Sequence, residues 1–185
     1  MNTLDARRLT TVRLALTGAP GTGKTTLAAV LQHSFEVHAV RDLAAACGAL
    51  GAAEDDGAHP IDVGRLTVHM DGMEGGCLIE GHLSHLLAPD AIVVLRCAPR
   101  RLQERLQDRG YSAAKVTANV EWELLGGVHA ELRDAGIDVP LLELDTSTTD
   151  ANVLAERVLA WREGGFRRSS DPFIDWLADP AHLPS

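Results

Sequence analysis

The run Gly18-Ala19-Pro20-Gly21-Thr22-Gly23-Lys24-Thr25-Thr26 constrains the fold more than any other part of the chain. It fits G-x-x-x-x-G-K-[ST], the phosphate-binding P-loop. Gly18 lets the chain leave a strand through a tight turn. Gly21 and Gly23 keep side chains away, so that successive backbone N–H groups converge on phosphate oxygens. Lys24 supplies a point charge, the Thr25 hydroxyl can ligate magnesium, and a helix starting here turns its positive end toward an anion. The motif needs a strand before it and a helix after it. Val12-Arg13-Leu14-Ala15-Leu16 reads as the strand and Leu27-Ala28-Ala29-Val30-Leu31 as the helix.

Bulk properties narrow the class. A length of 185 residues with 45% hydrophobic content suits one domain with a substantial core. The net charge of −9 argues against broad binding to nucleic-acid backbones, so no DNA partner is expected. Lys24 stands out because Lys115 is the only other lysine. No apolar run nears the ~20 residues of a membrane span. Cys47, Cys77 and Cys97 form no C-x-x-C pair. Cys77 and Cys97 border apolar runs, as buried thiols in a reducing cytoplasm would. Arg7-Arg8 is not read as a twin-arginine signal, because the P-loop glycines cut the following apolar stretch.

Along the chain, residues 1–11 read as a loose extension. Strands are predicted at 12–16, 36–40, 77–80, 91–96 and 139–144. Helices are predicted at 24–33, 41–46, from an Asp62 cap to about residue 73, from Pro99 onward, over 112–134 and over 150–161. Residues 48–60, rich in glycine, alanine and acids, read as a mobile loop. Gly75-Gly76 is expected to break the helix before it, and Gly126-Gly127 weaken the middle of the long one. Phe173, Ile174, Trp176 and Leu177 suit a short helix docked on the body. Alternating strands and helices predict a parallel five-stranded sheet covered on both faces, a three-layer α/β/α fold with its site around the P-loop.

Glu80 closes a short apolar strand beside the P-loop, the usual place for the acid that positions magnesium, directly or through water. His82 follows and could orient a water or a phosphate. His85 reads better as a partly buried helix histidine, and the pair lacks further ligands at zinc spacing. Arg96, Arg100, Arg101, Arg105 and Arg109 form a basic series, and Arg101, Arg105 and Arg109 share a face at helical spacing. Arginine forks suit a transferring phosphoryl group. Arg100 and Arg101 are expected to be merely solvated. Arg109 meets Gly110-Tyr111 at a helix break and could swing over a nucleotide.

Taken in order, Gly18 to Thr26, Glu80-Gly81-His82, Val93-Val94-Leu95-Arg96, Leu102…Arg105-Leu106…Arg109-Gly110-Tyr111 and Lys115-Val116…Asn119-Val120-Glu121 resemble an archaeal and eukaryotic family. It is that of the coilin-interacting nuclear ATPase, also called adenylate kinase isoenzyme six. The resemblance covers roughly residues 12–162. It implies an adenylate-kinase-like P-loop fold in one domain, with a monophosphate-binding segment at about 38–63, a lid at about 108–118 and a tail at 164–185. It implies ATP–AMP phosphoryl transfer with magnesium, weak ATP hydrolysis, and a role in maturing the small ribosomal subunit and its rRNA through a platform ribosomal protein. By motif position Gly21, Gly23, Lys24, Thr25, Thr26 and Arg109 would bind ATP. Thr25 and Glu80 would serve the metal, and Lys24, Glu80, His82 and Arg109 would act in catalysis. Glu80 stands where eukaryotic members usually carry aspartate.

One departure matters. The family usually places an arginine two residues after its Asp-Leu pair to grip the monophosphate, whereas Asp42-Leu43 is followed by Ala44-Ala45. Arg41 or Arg65 are the available substitutes. The alternatives are a ribosome-assembly ATPase with little AMP kinase activity, and a P-loop kinase for another small acceptor. A AAA-type ATPase shares Gly-x-Pro-Gly-Thr-Gly-Lys-Thr, but the chain looks too short for its helical lid domain and lacks paired acids at Glu80.

Overall fold

A computed structural model describes residues 12–54, 59–73, 76–169 and 173–178. The expected N-terminal extension lies outside them, as does Gly75. Five strands form one parallel sheet in the order β2-β3-β1-β4-β5. They are β1 (Arg13–Thr17), β2 (Glu36–Ala39), β3 (Cys77–Glu80), β4 (Ala91–Arg96) and β5 (Leu141–Asp145). β1 lies between β3 and β4, pairing Leu16 with Glu80 on one side and Val93 on the other. The P-loop therefore leaves the sheet at its centre, where the direction of strand addition reverses. Ligands of doubly wound sheets sit at such a point.

The helices are α1 (Lys24–Leu31), α2 (Val40–Ala46), α3 (Val63–Asp71), α4 (Pro99–Asp108), α5 (Ala113–Leu124), α6 (Gly127–Asp134) and α7 (Ala151–Glu163). Period-two burial divides the sheet between two layers. Leu14, Leu16, Leu78, Val93 and Leu95 pack on α1 and α7 through Leu27, Leu31, Leu154 and Val158. Ala15, Ile92 and Val94 face α6 through Val128 and Leu132. Ile79 and Cys77 complete that second face against α2 and α3. Burial raises the thiol pKa of Cys77 and pushes that of Cys97 up to about 11, so both are inert packing groups.

Several helix starts follow the sequence rules. Asp62 accepts from the Arg65 N–H at 2.9 Å, Pro99 opens α4, and Ser112 accepts from the Lys115 N–H at 3.3 Å. Three expectations need correction. The long helix over 112–134 is two helices, because Gly126 takes a left-handed conformation (φ +66°) and ends α5 before α6 begins. The loop over 48–60 has a closed base: Leu50 bridges Ile61, and the Gly51 N–H donates to the Pro60 carbonyl at 2.8 Å. Its residues 55–58 lie outside those described. In the tail Trp176 is buried in a single 3₁₀ turn, whereas Phe173 and Leu177 remain exposed.

The fourth correction concerns Arg96. It is not a phosphate-facing cation but the centre of a buried polar cluster. Its Nε donates to Glu123 Oε1 and its Nη1 to Glu143 Oε1, both at 2.7 Å. Glu123 Oε1 also accepts from the Cys97 N–H and from Trp176 Nε1. Burial raises the Glu123 pKa, and Arg96 with these donors opposes it. For Glu143 burial also pushes upward, but hydrogen bonds from His129, Arg96 and the Ile174 N–H hold its pKa below the ordinary value. Removing one partner strands a charge in the interior. Arg96→Met is therefore expected to cost about 3–5 kcal/mol of stability, read by urea unfolding.

Candidate functional site

The site is built at the C-terminal ends of β1 and β3. Gly18 follows β1 with φ +138°, and a Cβ there would collide with the Leu95 carbonyl of β4, so only glycine fits between the strands. The loop then turns through Thr22, whose hydroxyl donates to the Ala19 carbonyl at 2.9 Å, and reaches Gly23 in a left-handed conformation at the N-cap of α1. The N-terminus of α1 opens directly behind Gly23, with Lys24, Thr25 and Thr26 forming its first turn.

The Lys24 ammonium donates to the carbonyls of Gly18 at 2.8 Å and Ala19 at 2.9 Å. Desolvation lowers its pKa to about 8; Glu80 and Glu123 oppose the shift and Arg109 adds to it. The field of Glu80 and Arg109 at Lys24 draws together three residues far apart in sequence. Thr25 Oγ1 lies 3.5 Å from Glu80 Oε2. Both are hard oxygen donors, and an octahedral magnesium ion with ligands at about 2.1 Å sets neighbouring oxygens about 3 Å apart. A small side-chain adjustment would seat both on one such ion, with phosphate and water supplying the rest. Among the described residues no cluster of three or more His, Cys, Asp or Glu has metal-site geometry.

His82 lies close behind. Its Nδ1 is 3.3 Å from the Gly18 carbonyl, which can only accept, so Nδ1 carries the hydrogen. Its ring meets Trp122 edge-on with centroids 4.8 Å apart. Desolvation lowers its pKa, the hydrogen bond to Gly18 opposes the shift and Lys24 adds to it, so the neutral imidazole is favoured. His85, expected to be partly buried in a helix, is instead fully buried in a 3₁₀ turn, set between Thr17 and Glu131.

The arginine series diverges instead of sharing a role. Arg101 pairs with Glu104 at 2.7 Å on the surface, where such pairs contribute little. Arg105 donates to the Thr146 carbonyl at 2.6 Å and reaches the Gly21 carbonyl at 3.4 Å, bracing the loop from outside. Arg109 lines a cleft of about 510 Å³ with Gly21, Gly23, Thr26, Asp108 and the segment 149–151. Sequence reasoning missed that last segment. The signal was available, since 149–151 follow the C-terminal end of β5, where sheets of this type carry their ligands. A second cleft of about 400 Å³ lies on the α2–α3 connection, lined by Gly48, Leu50, Gly51, Pro60 and Asp62. Ala45 is exposed on α2, and a Cβ at Gly48 would lie 3.4 Å from Arg65 Nη2, which sets that guanidinium beside the second cleft.

Comparison with known proteins bears on family and fold. Residues 14–126 match a family model described as "AAA domain", a stretch running from β1 through α5. A protein of Archaeoglobus fulgidus named "Putative adenylate kinase" is 39% identical over 170 residues, covering 90% of this chain and 92% of the relative. One of the same name from Halobacterium salinarum is 39% identical over 168 residues, covering 89% and 98%. A third, from Methanocaldococcus jannaschii, is 33% identical over 173 residues, covering 89% and 93%. The chain belongs to the P-loop nucleotide kinases. Among solved structures, shikimate kinase from Acinetobacter baumannii superimposes with a TM-score of 0.58 at 17% identity, covering 86% of this chain and 97% of that one. A gluconokinase from Sinorhizobium meliloti gives 0.54 at 16%, covering 83% and 92%. At such identities these two bear on the fold alone, and they share the P-loop kinase architecture. Among the described residues no helix is long and apolar enough to cross a membrane.

The depressed Lys24 pKa has a measurable consequence. Near pH 8 about half of the Lys24 side chains lack their proton in the free protein, and an anion beside them restores it. A fully ionised nucleoside triphosphate binding at pH 8 is therefore expected to draw in about half a proton per site. The uptake should fade toward pH 6, where Lys24 is already charged. Titration calorimetry in two buffers of different ionisation enthalpy reads it, and Lys24→Ala should remove it.

Proposed function

We propose that this kinase transfers the γ-phosphoryl group of ATP to a nucleoside monophosphate, with AMP as acceptor, giving ATP + AMP ⇌ 2 ADP. The observation that carries the reading is a cleft on the P-loop together with a second cleft on the α2–α3 connection. One is lined by Gly21, Gly23, Thr26 and Arg109, the other by the α2–α3 connection within the segment 38–63. The names of the archaeal relatives supply the acceptor.

In this reading the N–H groups at Gly21, Gly23, Lys24, Thr25 and Thr26 cradle the phosphates of ATP. Lys24 leaves the carbonyls of Gly18 and Ala19 for the β- and γ-phosphates. Thr25 and Glu80 hold magnesium, which when bound offsets charge on the phosphates. Arg109, on the lid segment 108–118, adds positive charge over the transferring group. His82 stays neutral, donates from Nδ1 to Gly18 and keeps Nε2 as an acceptor beside the nucleotide. Arg65 is the residue for the acceptor phosphate, in place of the arginine missing at Ala45. The chemistry is chiefly positioning and charge stabilisation.

A coupled assay for ADP with and without AMP tests the reading. Lys24→Ala is expected to lower turnover by roughly 10²–10³ while leaving the fold intact. Glu80→Gln should reduce kcat far more than it raises KM for ATP. Unchanged turnover in both folded variants would refute the site.

The absence of arginine at Ala45 favours a second reading, an ATPase whose hydrolysis cycle serves assembly of the small ribosomal subunit. The family resemblance supports that reading; a kinase for another small acceptor is a third. AMP titration separates them. AMP-dependent ADP formation is expected with poor apparent affinity and a sizeable basal hydrolysis. Ala45→Arg should tighten AMP binding and Arg65→Ala should weaken it. Hydrolysis indifferent to AMP in all three proteins would favour the assembly ATPase or another acceptor.

A further inference from the structure

One carboxylate behind the P-loop reaches His82 by two separate routes. Glu131 lies on α6. Its Oε2 is 2.8 Å from His85 Nε2, and its Oε1 accepts from Trp122 Nε1 at 3.2 Å. The first route continues through the His85 ring, whose Nδ1 is 2.8 Å from Thr17 Oγ1. The Thr17 hydroxyl donates in turn to the His82 carbonyl at 3.0 Å. The second route is the Trp122 indole, which meets the His82 ring edge-on. One route fixes the main chain of His82 and the other fixes its ring.

Counting protons gives the chain a direction. A threonine hydroxyl has one hydrogen, and here it goes to a carbonyl that can only accept. His85 Nδ1 must then carry a hydrogen and donate to Thr17 Oγ1. A single proton is left between His85 Nε2 and Glu131 Oε2, and the chain is satisfied with it on either atom. A glutamine at 131 could also satisfy it: the amide oxygen accepts from Trp122 and the amide nitrogen donates to a neutral His85. An aliphatic side chain would leave both a buried imidazole nitrogen and the indole N–H without this partner.

We propose that Glu131 is the positioning residue for His82, holding it through His85 and Thr17 on one side and through Trp122 on the other, so that Nδ1 stays on Gly18 and Nε2 stays free for the nucleotide. This rests on the phosphoryl-transfer reading for the role of His82, while the two routes themselves are independent of it.

The test is a double-mutant cycle on kcat and on KM for ATP, using Glu131→Leu, His82→Asn and the double variant, with Glu131→Gln as the conservative control. Thermal unfolding of each protein identifies those that fold. Glu131→Leu is expected to lower kcat by roughly ten- to a hundredfold with KM for ATP nearly unchanged. The double variant should be no worse than His82→Asn alone, and Glu131→Gln should recover most of the rate. Trp122→Phe keeps a ring against His82 but loses the indole N–H. It should show a smaller loss, also absent in the His82→Asn background, and it serves if Glu131→Leu does not fold. Losses that multiply in the double variants, or a Glu131→Gln as impaired as Glu131→Leu, would overturn the inference. So would a His82→Asn variant with unaltered kcat, which leaves the kinase reading standing. Turnover without any response to AMP would overturn that reading instead, while the cycle measured on ATP hydrolysis would still report the Glu131–His82 coupling.

Discussion

The contact on which the rest depends is the approach of the Gly18 backbone to the end of β4. No side chain fits there, because the Leu95 carbonyl occupies the space a Cβ would take. This closeness lets the loop leave the middle of the sheet and curl back, so that Gly21 and Gly23 sit over α1. The same peptide serves twice more. Its carbonyl accepts from Lys24 and from His82, so the loop's cation and its neighbouring imidazole are registered to one atom. Displacing Gly18 would shift Lys24 and His82 together. The ammonium and the imidazole are thus tied to a strand whose Leu14 and Leu16 are fully buried.

A second polar centre stands at the same end of the sheet as the first. Arg96 ends β4, Glu123 comes from α5 and Glu143 from β5, and the three meet where water is excluded. Buried ion pairs contribute little net stability relative to apolar packing, and their main effect is to penalise any arrangement that separates them. Here the pairing sets how α5 lies against the sheet. α5 in turn carries Trp122, which touches His82. Stability and site geometry therefore share a helix. The break at Gly126 makes this possible, since it frees α6 to lie on Val94 and Ile92 while α5 runs beside α4.

Much of this was legible in the residues. The P-loop, the capping residues Asp62 and Ser112, the apolar run of β4 and the acid at Glu80 each carry their structural meaning within a few positions, so local rules suffice. What escaped was non-local. Arg96 reads as a site cation because it follows a core strand, and only its pairing with Glu123, 27 residues on, reveals a buried clasp. The arginines of α4 share spacing but not surroundings, because carbonyls of the β5–α7 loop capture Arg105 alone. Periodicity ran through Gly126-Gly127 without a stop, since two glycines weaken a helix yet do not say which one will adopt positive φ. The Glu131–His85–Thr17 chain joins three elements and has no sequence signature.

The clasp also bears on the order in which the protein completes itself. Arg96 and Glu123 emerge during synthesis long before Ile174 and Trp176, which close the cluster by accepting from Arg96 and donating to Glu123. Until that segment arrives, Glu123 lacks its Trp176 donor and Arg96 its Ile174 acceptor. The segment at Ile174 and Trp176 is thus the last piece to close a polar cluster that stands at the same end of the sheet as the P-loop, near enough for Glu123 to act on the charge of Lys24.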